Sequence, residues 1–461
     1  MTDSTHQRVF RSTVAAYAIQ IARLLIGFGT RLVLARLILP EGHGLFELAL
    51  RIVTVAAAVR DLGLPYQMVR DDRRPYGTVL AFTLGSGTVI TLLLIAAAPL
   101  AGILTPDLPT VLRVMAVWVL LDGLAVVPKA FFERELTIQR LVGPEIARVL
   151  LFGVVSIGLS LLDWGVWSFV AGELASVLIY GLWAWAGAWR KFSFQAELHL
   201  LPDLIRQSSY LFWIWLLVQL VTYIDIYIIE WFGNTKEVGL YTNAYRTMYL
   251  TVPIAYPRAL FPTLVAYLND RPRFLEAFRL GAVQLLSLQV LAAYFLVFNA
   301  ERSISILYGA EWLAAAPMLQ LLVFVPLFDP FSIVGGEMLK ARNEDRLWLV
   351  ITALNLISLV GFGILLTRQW GALGMAAANW LRLGNLLMLW RVRGVFGDRF
   401  KSLLGDLAFL YLAPLPFFAL AAWLLPPGSW PRFAASIAAA LLAAGALAAR
   451  YWRPFKTFFR K

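Results

Sequence analysis

Ten arginines of this chain fall inside long apolar stretches: Arg23, Arg31, Arg36, Arg51, Arg60, Arg113, Arg148, Arg246, Arg258 and Arg382. A guanidinium stays charged at every working pH and presents a planar fork of donors that fits phosphate oxygens two at a time. At mid-bilayer depth it costs at least ~2.5–3.5 kcal/mol, so it turns toward protein or water rather than lipid tails. Neither a pore-like repeat nor a voltage-sensor spacing accounts for the set. It reads as the positive lining of a water-filled cavity, and so as a site for an anionic cargo.

Depth sorts the ten. Arg23 and Arg382 fall near the middle of their segments, and Arg31, Arg51 and Arg246 fall in outer halves. Arg23 and Arg31 are eight residues apart, about 80° around a helix, so they share a face. These five are the expected substrate-binding residues. Arg36, Arg60, Arg113, Arg148 and Arg258 sit nearer segment ends, where snorkelling or interface pairing is the expected role. The embedded acids are Glu47, Asp122, Glu173, Asp225 and Asp329. Charge compensation explains them; Glu47, for one, is four residues before Arg51 on the same face. The competing reading is coupling of transport to protons or sodium ions, with Asp225, Asp329 and Glu47 as candidates. Asp329 precedes Pro330, where a broken helix would expose carbonyls. The chain has no cysteine and three scattered histidines, so disulfides, thiol catalysis and a metal centre are not expected. No cofactor and no catalytic residue is expected either.

The elements that hold these side chains are transmembrane helices. Of 461 residues, 60% are hydrophobic and 15% charged, against ~25% charged in soluble domains, and mean hydropathy is +0.73. Met1 to Arg11 is polar and the first apolar stretch is too long for a cleavable signal. A helix needs about 20 apolar residues to cross a bilayer, and fourteen segments qualify. Their loops are asymmetric: 26 Lys and Arg on one side of the alternation and four on the other. That pattern fixes membrane orientation, with both termini cytoplasmic, and removes nucleic acid as the explanation of the net charge of +12.

The chain also repeats. Gly44-Leu45-Phe46-Glu47-Leu48-Ala49-Leu50-Arg51 opens the second segment and Gly239-Leu240-Tyr241-Thr242-Asn243-Ala244-Tyr245-Arg246 the eighth, with four of eight positions identical at an offset of 195 residues. Trp164-Gly165 and Ala171 are echoed by Trp370-Gly371 and Ala377. A shift of six segments gives a parallel repeat, with a pseudo-twofold axis along the membrane normal. The expected fold is therefore an all-α polytopic membrane protein. It has an N-lobe of helices one to six (1–189), a cytoplasmic linker (190–207), a C-lobe of helices seven to twelve (208–396), and two extra helices with a basic tail (397–461). Arg51 and Arg246 are repeat equivalents and are expected to face a shared cavity.

The run from Arg31 to Phe46, the stretch Asp61-Leu62-Gly63-Leu64-Pro65 and the stretch Phe132-Glu133-Arg134-Glu135-Leu136 resemble bacterial polysaccharide exporters and lipid-linked oligosaccharide flippases. Those belong to the multidrug/oligosaccharidyl-lipid/polysaccharide exporter superfamily. The resemblance implies two six-helix lobes around a V-shaped cavity lined by helices one, two, seven and eight. It implies movement of an undecaprenyl-diphosphate-linked sugar from the inner to the outer leaflet of the cytoplasmic membrane, alongside a polysaccharide polymerase and glycosyltransferases. Fourteen segments rather than twelve match the layout of peptidoglycan-precursor flippases, which is the alternative reading. A membrane glycosyltransferase or glycan polymerase is the alternative from another class; such an enzyme needs a sizeable extracytoplasmic loop, and no loop here is long enough. No Gly-rich phosphate loop of an ATP-driven pump is present. A cation-drug antiporter suits an arginine-lined cavity badly.

Overall fold

Lipid offers backbone polar groups no partners, so a chain this apolar resolves into helices. The computed structural model describes residues 25–70, 73, 75–135, 137–189, 195–249 and 260–459, and among them there are helices and turns but no strand. The protein is an all-α polytopic membrane protein, with eleven helical spans among the described residues long and apolar enough to cross a bilayer. Expected segments one and eight lie partly outside the described residues, as do Arg23 and Arg258. The spans Asp345–Ala378 and Gly384–Leu424 together carry expected segments eleven to thirteen. The chain divides into two compact units, Met1–Gly239 and Leu240–Lys461.

The first unit contains α1 (25–37), α2 (Pro40–Asp61), α3 (Leu64–Arg70), α4 (Tyr76–Ala97), α5 (Leu108–Met115), α6 (Val117–Arg134), α7 (Val142–Ser160), α8 (Val166–Ala188), α9 (Leu201–Phe232) and the start of α10 (Thr235–Tyr249). Pro40 stands in the first turn of α2, where its missing donor is harmless. The stretch read from sequence as a linker is docked to this unit. Leu204 is fully buried among Leu64, Met68, Tyr76 and Val79, with Leu200 and Ile205 packed alongside. Arg73 pairs with Asp203 at 2.9 Å, and the Ser208 hydroxyl donates to the Leu62 carbonyl at 2.8 Å. The apolar residues recur at helical spacing here, beneath a polar face of Asp203, Arg206 and Gln207 that dominates the reading of sequence alone.

The second unit continues α10 and adds α11 (Leu260–Ala266), α12 (Arg271–Phe298), α13 (Ala300–Leu307), α14 (Ala316–Leu322), α15 (Asp329–Ala341), α16 (Asp345–Ala378), α17 (Gly384–Phe396), α18 (Phe400–Leu412), α19 (Leu415–Leu424) and α20 (Trp430–Phe459). Two expected segments are interrupted. The tenth is α14, a short 3-10 turn (Val325–Phe328) and α15, which opens on Asp329-Pro330. The twelfth begins at a kink at Gly371, whose φ of 58° no helix interior adopts, and breaks again over 379–383. The last helices are fastened to α12 through Asp406 on α18. It accepts from Arg279 Nε at 2.6 Å and from the Tyr451 hydroxyl at 3.4 Å. Tyr294 donates to the Tyr411 carbonyl at 2.8 Å.

Candidate functional site

In the first unit α1, α2 and α9 bring three of the expected site residues into one cluster. Glu47 on α2 is 2% exposed. Its Oε2 lies 2.8 Å from Arg51 Nη2 one turn on, the i to i+4 geometry of a helix face. Its Oε1 lies 3.8 Å from Arg31 Nη1 on α1. The Arg51 guanidinium sits 4.3 Å above the ring of Tyr223 on α9, a cation–π contact strengthened by burial. One turn along α9 the Tyr227 hydroxyl donates to the Leu48 carbonyl at 3.3 Å. The carboxylate is sealed inside while the arginine side chains stay 32% and 21% exposed. The charged side chains that reach the surface of the cluster are the two arginines.

Asp225 lies on α9 between the two tyrosines, 4% exposed, and accepts from the backbone N–H of Ile226 at 2.9 Å. Tyr223 and Tyr227 were not singled out by sequence reasoning. Aromatic residues are frequent in membrane helices, and only the register of α9 against α2 distinguishes these two.

That register is set by close backbone packing. A β-carbon on Gly44 would collide with the Thr235 carbonyl and come within 3.0 Å of the Gly239 nitrogen. A β-carbon on Gly239 would collide with the Pro40 carbonyl and come within 3.2 Å of the Gly44 nitrogen. Residues 40 and 44 are related to 235 and 239 by the offset of the sequence repeat. The contact is reciprocal.

Arg60, expected at an interface, is 0% exposed. Nε and Nη2 pair with Asp61 at 2.7 and 2.9 Å, and Nη2 also reaches Asp122 at 3.0 Å. Nη1 donates to the Val119 carbonyl. The side chain runs between Gly87 on α4 and Gly123 on α6, where a β-carbon would stand 3.2 Å from it in each case. It does not snorkel; it joins α2, α4 and α6, and Asp122 serves as its counter-charge. Arg148 pairs with Glu173 at 3.2 Å, and Trp118 Nε1 donates to the same carboxylate at 3.0 Å. Arg36 and Arg113 are exposed.

In the second unit Arg382 lies in the break between α16 and α17, not within a continuous helix. Its Nη2 donates to Asn379 Oδ1 at 2.5 Å, and Asn379 Nδ2 donates to the Tyr241 hydroxyl at 2.9 Å. Discontinuous helices of this kind are where transporters place ligand groups. Asn379 and Tyr241 were missed from sequence because the break itself was not foreseen. Arg246 is half-buried in the last turn of α10. Asp329 opens α15; its side chain lies outside the described set. Nearby the Ser332 hydroxyl donates to Asn385 Oδ1 at 3.1 Å, and the Leu383 N–H to the Ser358 hydroxyl at 3.1 Å.

With this geometry in hand, similarity to known proteins narrows the reading. A family model described as "Polysaccharide biosynthesis protein" matches residues 33–317. The teichuronic acid biosynthesis protein TuaB of Bacillus subtilis (strain 168) is 24% identical over 368 residues, 76% of each chain. The succinoglycan biosynthesis transport protein ExoT of Rhizobium meliloti (strain 1021) is 26% identical over 310 residues, 64% of this chain and 61% of that one. Among solved structures, the lipid II flippase MurJ in an inward closed conformation superposes with a TM-score of 0.79 at 14% identity, covering 96% of this chain and 99% of that one. An inward-facing multidrug resistance MATE family transporter of the MOP superfamily gives a TM-score of 0.64 at 15% identity, covering 84% and 99%. At these identities the superpositions speak for the fold.

Proposed function

We propose, for a chain that belongs to the polysaccharide biosynthesis protein family, that it is a flippase carrying an undecaprenyl-diphosphate-linked oligosaccharide from the inner to the outer leaflet of the cytoplasmic membrane. The observation that carries this reading is the Arg31–Glu47–Arg51 cluster, in which the carboxylate is buried and the two arginine side chains are partly exposed. A diphosphate brings about two negative charges, and paired arginines hold such a group through bidentate, charge-assisted hydrogen bonds. An anion entering the cluster offsets part of the ~2.5–3.5 kcal/mol that each embedded arginine costs. The neutralised site can then close toward one leaflet and open toward the other. Arg23, Arg246 and Arg382 are further proposed binding residues. Asp225, Asp329 and Glu47 are the proposed points of coupling to protons or sodium ions. Both termini are assigned to the cytoplasm, and a polysaccharide polymerase and glycosyltransferases are the proposed neighbours.

Transport rather than catalysis is supported by ExoT, a transport protein by name, and by the transporter folds. The test is thermal stabilisation of the purified protein by a polyprenyl-diphosphate sugar, by its monophosphate analogue and by the neutral polyprenol. The diphosphate should stabilise most. Equal stabilisation by the polyprenol would mean that the tail alone is recognised and would overturn the reading. The peptidoglycan precursor carries the same diphosphate; rescue of cells depleted of their own precursor flippase would assign that cargo instead.

A further inference from the structure

We infer that Arg302 and Arg432 form a second anion site, at the end of the second unit opposite Arg271 and Arg273, and that it takes the phosphate of a membrane lipid. Both side chains sit at the start of a helix: Arg302 in the first turn of α13 and Arg432 in that of α20. The Arg302 guanidinium lies 4.5 Å over the ring of Trp430, and that of Arg432 lies 6.0 Å over the ring of Phe298. Trp430 meets Phe433 edge-on at 6.0 Å, and Phe433 meets Phe295 at 5.1 Å. One aromatic cluster thus joins the end of α12 to the start of α20 and holds both arginines.

Arg432 is only 9% exposed, yet its buried Nε has no hydrogen-bond partner, and the same is true of Arg302 Nε. Arg60 and Arg279, by contrast, each pair with two carboxylates, at 2.7 and 3.0 Å and at 3.2 and 2.6 Å. Among the described residues neither Arg302 nor Arg432 has one. The adjacent acid, Glu301, is exposed and lies beside the Gly428 turn, 3.8 Å from where a β-carbon there would stand. Stacking covers the face of a guanidinium but leaves its edge donors available. Two edges, two helix N-termini and no paired carboxylate make a site for an oxyanion.

Depth identifies the oxyanion's source. Trp430 is 60% exposed and Trp423 82%, the disposition of rings at the level of lipid headgroups. Phosphate is the anionic group that a bilayer presents at that level. The site uses no residue of the Arg31–Glu47–Arg51 cluster and does not depend on the cargo proposed for it.

The experiment is native mass spectrometry of the full chain released from nanodiscs containing phosphatidylglycerol, with thermal shift alongside. The wild type should retain a tightly held phosphatidylglycerol that R302Q/R432Q loses, with half-saturation raised roughly fivefold or more, as expected for losing two charge-assisted contacts. R368Q, at an exposed arginine, should retain it. If the double variant does not fold, the wild type alone decides: phosphatidylglycerol must stabilise it more than diacylglycerol or inorganic phosphate does. Equal retention by wild type and double variant, or equal stabilisation by diacylglycerol, would overturn the site. Stabilisation by inorganic phosphate matching that by phosphatidylglycerol would overturn its assignment to lipid.

Discussion

Gly44 and Gly239 lie backbone against backbone, each blocked from carrying a side chain by the helix that bears the other. They are also partners in the sequence repeat, so the resemblance between the two octapeptides has a steric meaning. Each supplies the same bare backbone to the same contact.

Gly44→Ala and Gly239→Ala should therefore each force α2 and α10 apart. Overpacking of this sort costs about 1–3 kcal/mol. Thermal unfolding should show a clear drop for both, while Gly85→Ala, with open space around its β-carbon position, should be neutral or slightly stabilising. Wild-type melting of both contact variants would mean that the helices separate freely at this point.

Arg60→Ala should be among the most damaging single changes in the first unit. It strands Asp61 and Asp122 and leaves the Val119 carbonyl without its donor. Breaking a buried pair from one side costs about 3–5 kcal/mol. Asp122→Asn should be milder, because Asp61 still neutralises the guanidinium. Expression and melting of the two variants compare directly.

Arg51→Ala should reduce export more than Arg148→Ala at matched expression, since Arg51 is held in the proposed cargo cluster and Arg148 is neutralised by Glu173. Arg51→Lys should be partly active, because the charge remains but the fork is lost. Equal defects in the two alanine variants would remove Arg51 from the cargo site.

Glu344 is the hinge of a pH prediction. Hydrogen bonds from Arg391, at 2.5 and 2.6 Å, hold its carboxyl below the usual carboxylate range, and Arg342 adds to the effect. A carboxyl with a lowered folded-state pKa stabilises the fold above its unfolded value, near ~4.3, and loses that contribution as pH falls through the lowered value. The melting gap between wild type and Glu344→Gln should thus be widest at neutral pH and close in strong acid. A gap that widens on acidification would contradict the pairing.

Reporter fusions after Lys461 and within Asp398–Ser402 should both report cytoplasm. The basis is the concentration of Lys and Arg in alternate loops. A periplasmic signal from either would reverse the assignment.

Much of this arrangement is legible in the sequence because hydropathy and charge act locally. The Glu47–Arg51 pair follows from helix spacing alone. Arg31 joining them, and Tyr223 covering Arg51, depend on how α1 and α9 are rotated against α2, which no local pattern encodes. Arg60 shows the same limit more sharply. Its position near a helix end suggests snorkelling or interface pairing, but the side chain lies inside, in the space left by Gly87 and Gly123 on two other helices. The break at 379–383 is not legible because the apolar residues on both sides continue past it, so Asn379 and Arg382 read as polar residues within one continuous helix.

The tie between Arg279 and Asp406 spans 127 residues, and that separation sets a timetable for biosynthesis. At about 5–20 residues per second, roughly 6–25 s pass between the emergence of the cation and the arrival of its distant anion. Over that interval the half-made protein carries a guanidinium on a helix already committed to the membrane. Glu276, one turn earlier and 3.2 Å away, emerges with it and is its counter-ion from the start. The two carboxylates thus pair with it in succession: the local one from the time its own helix is made, and the remote one when the closing helices are complete.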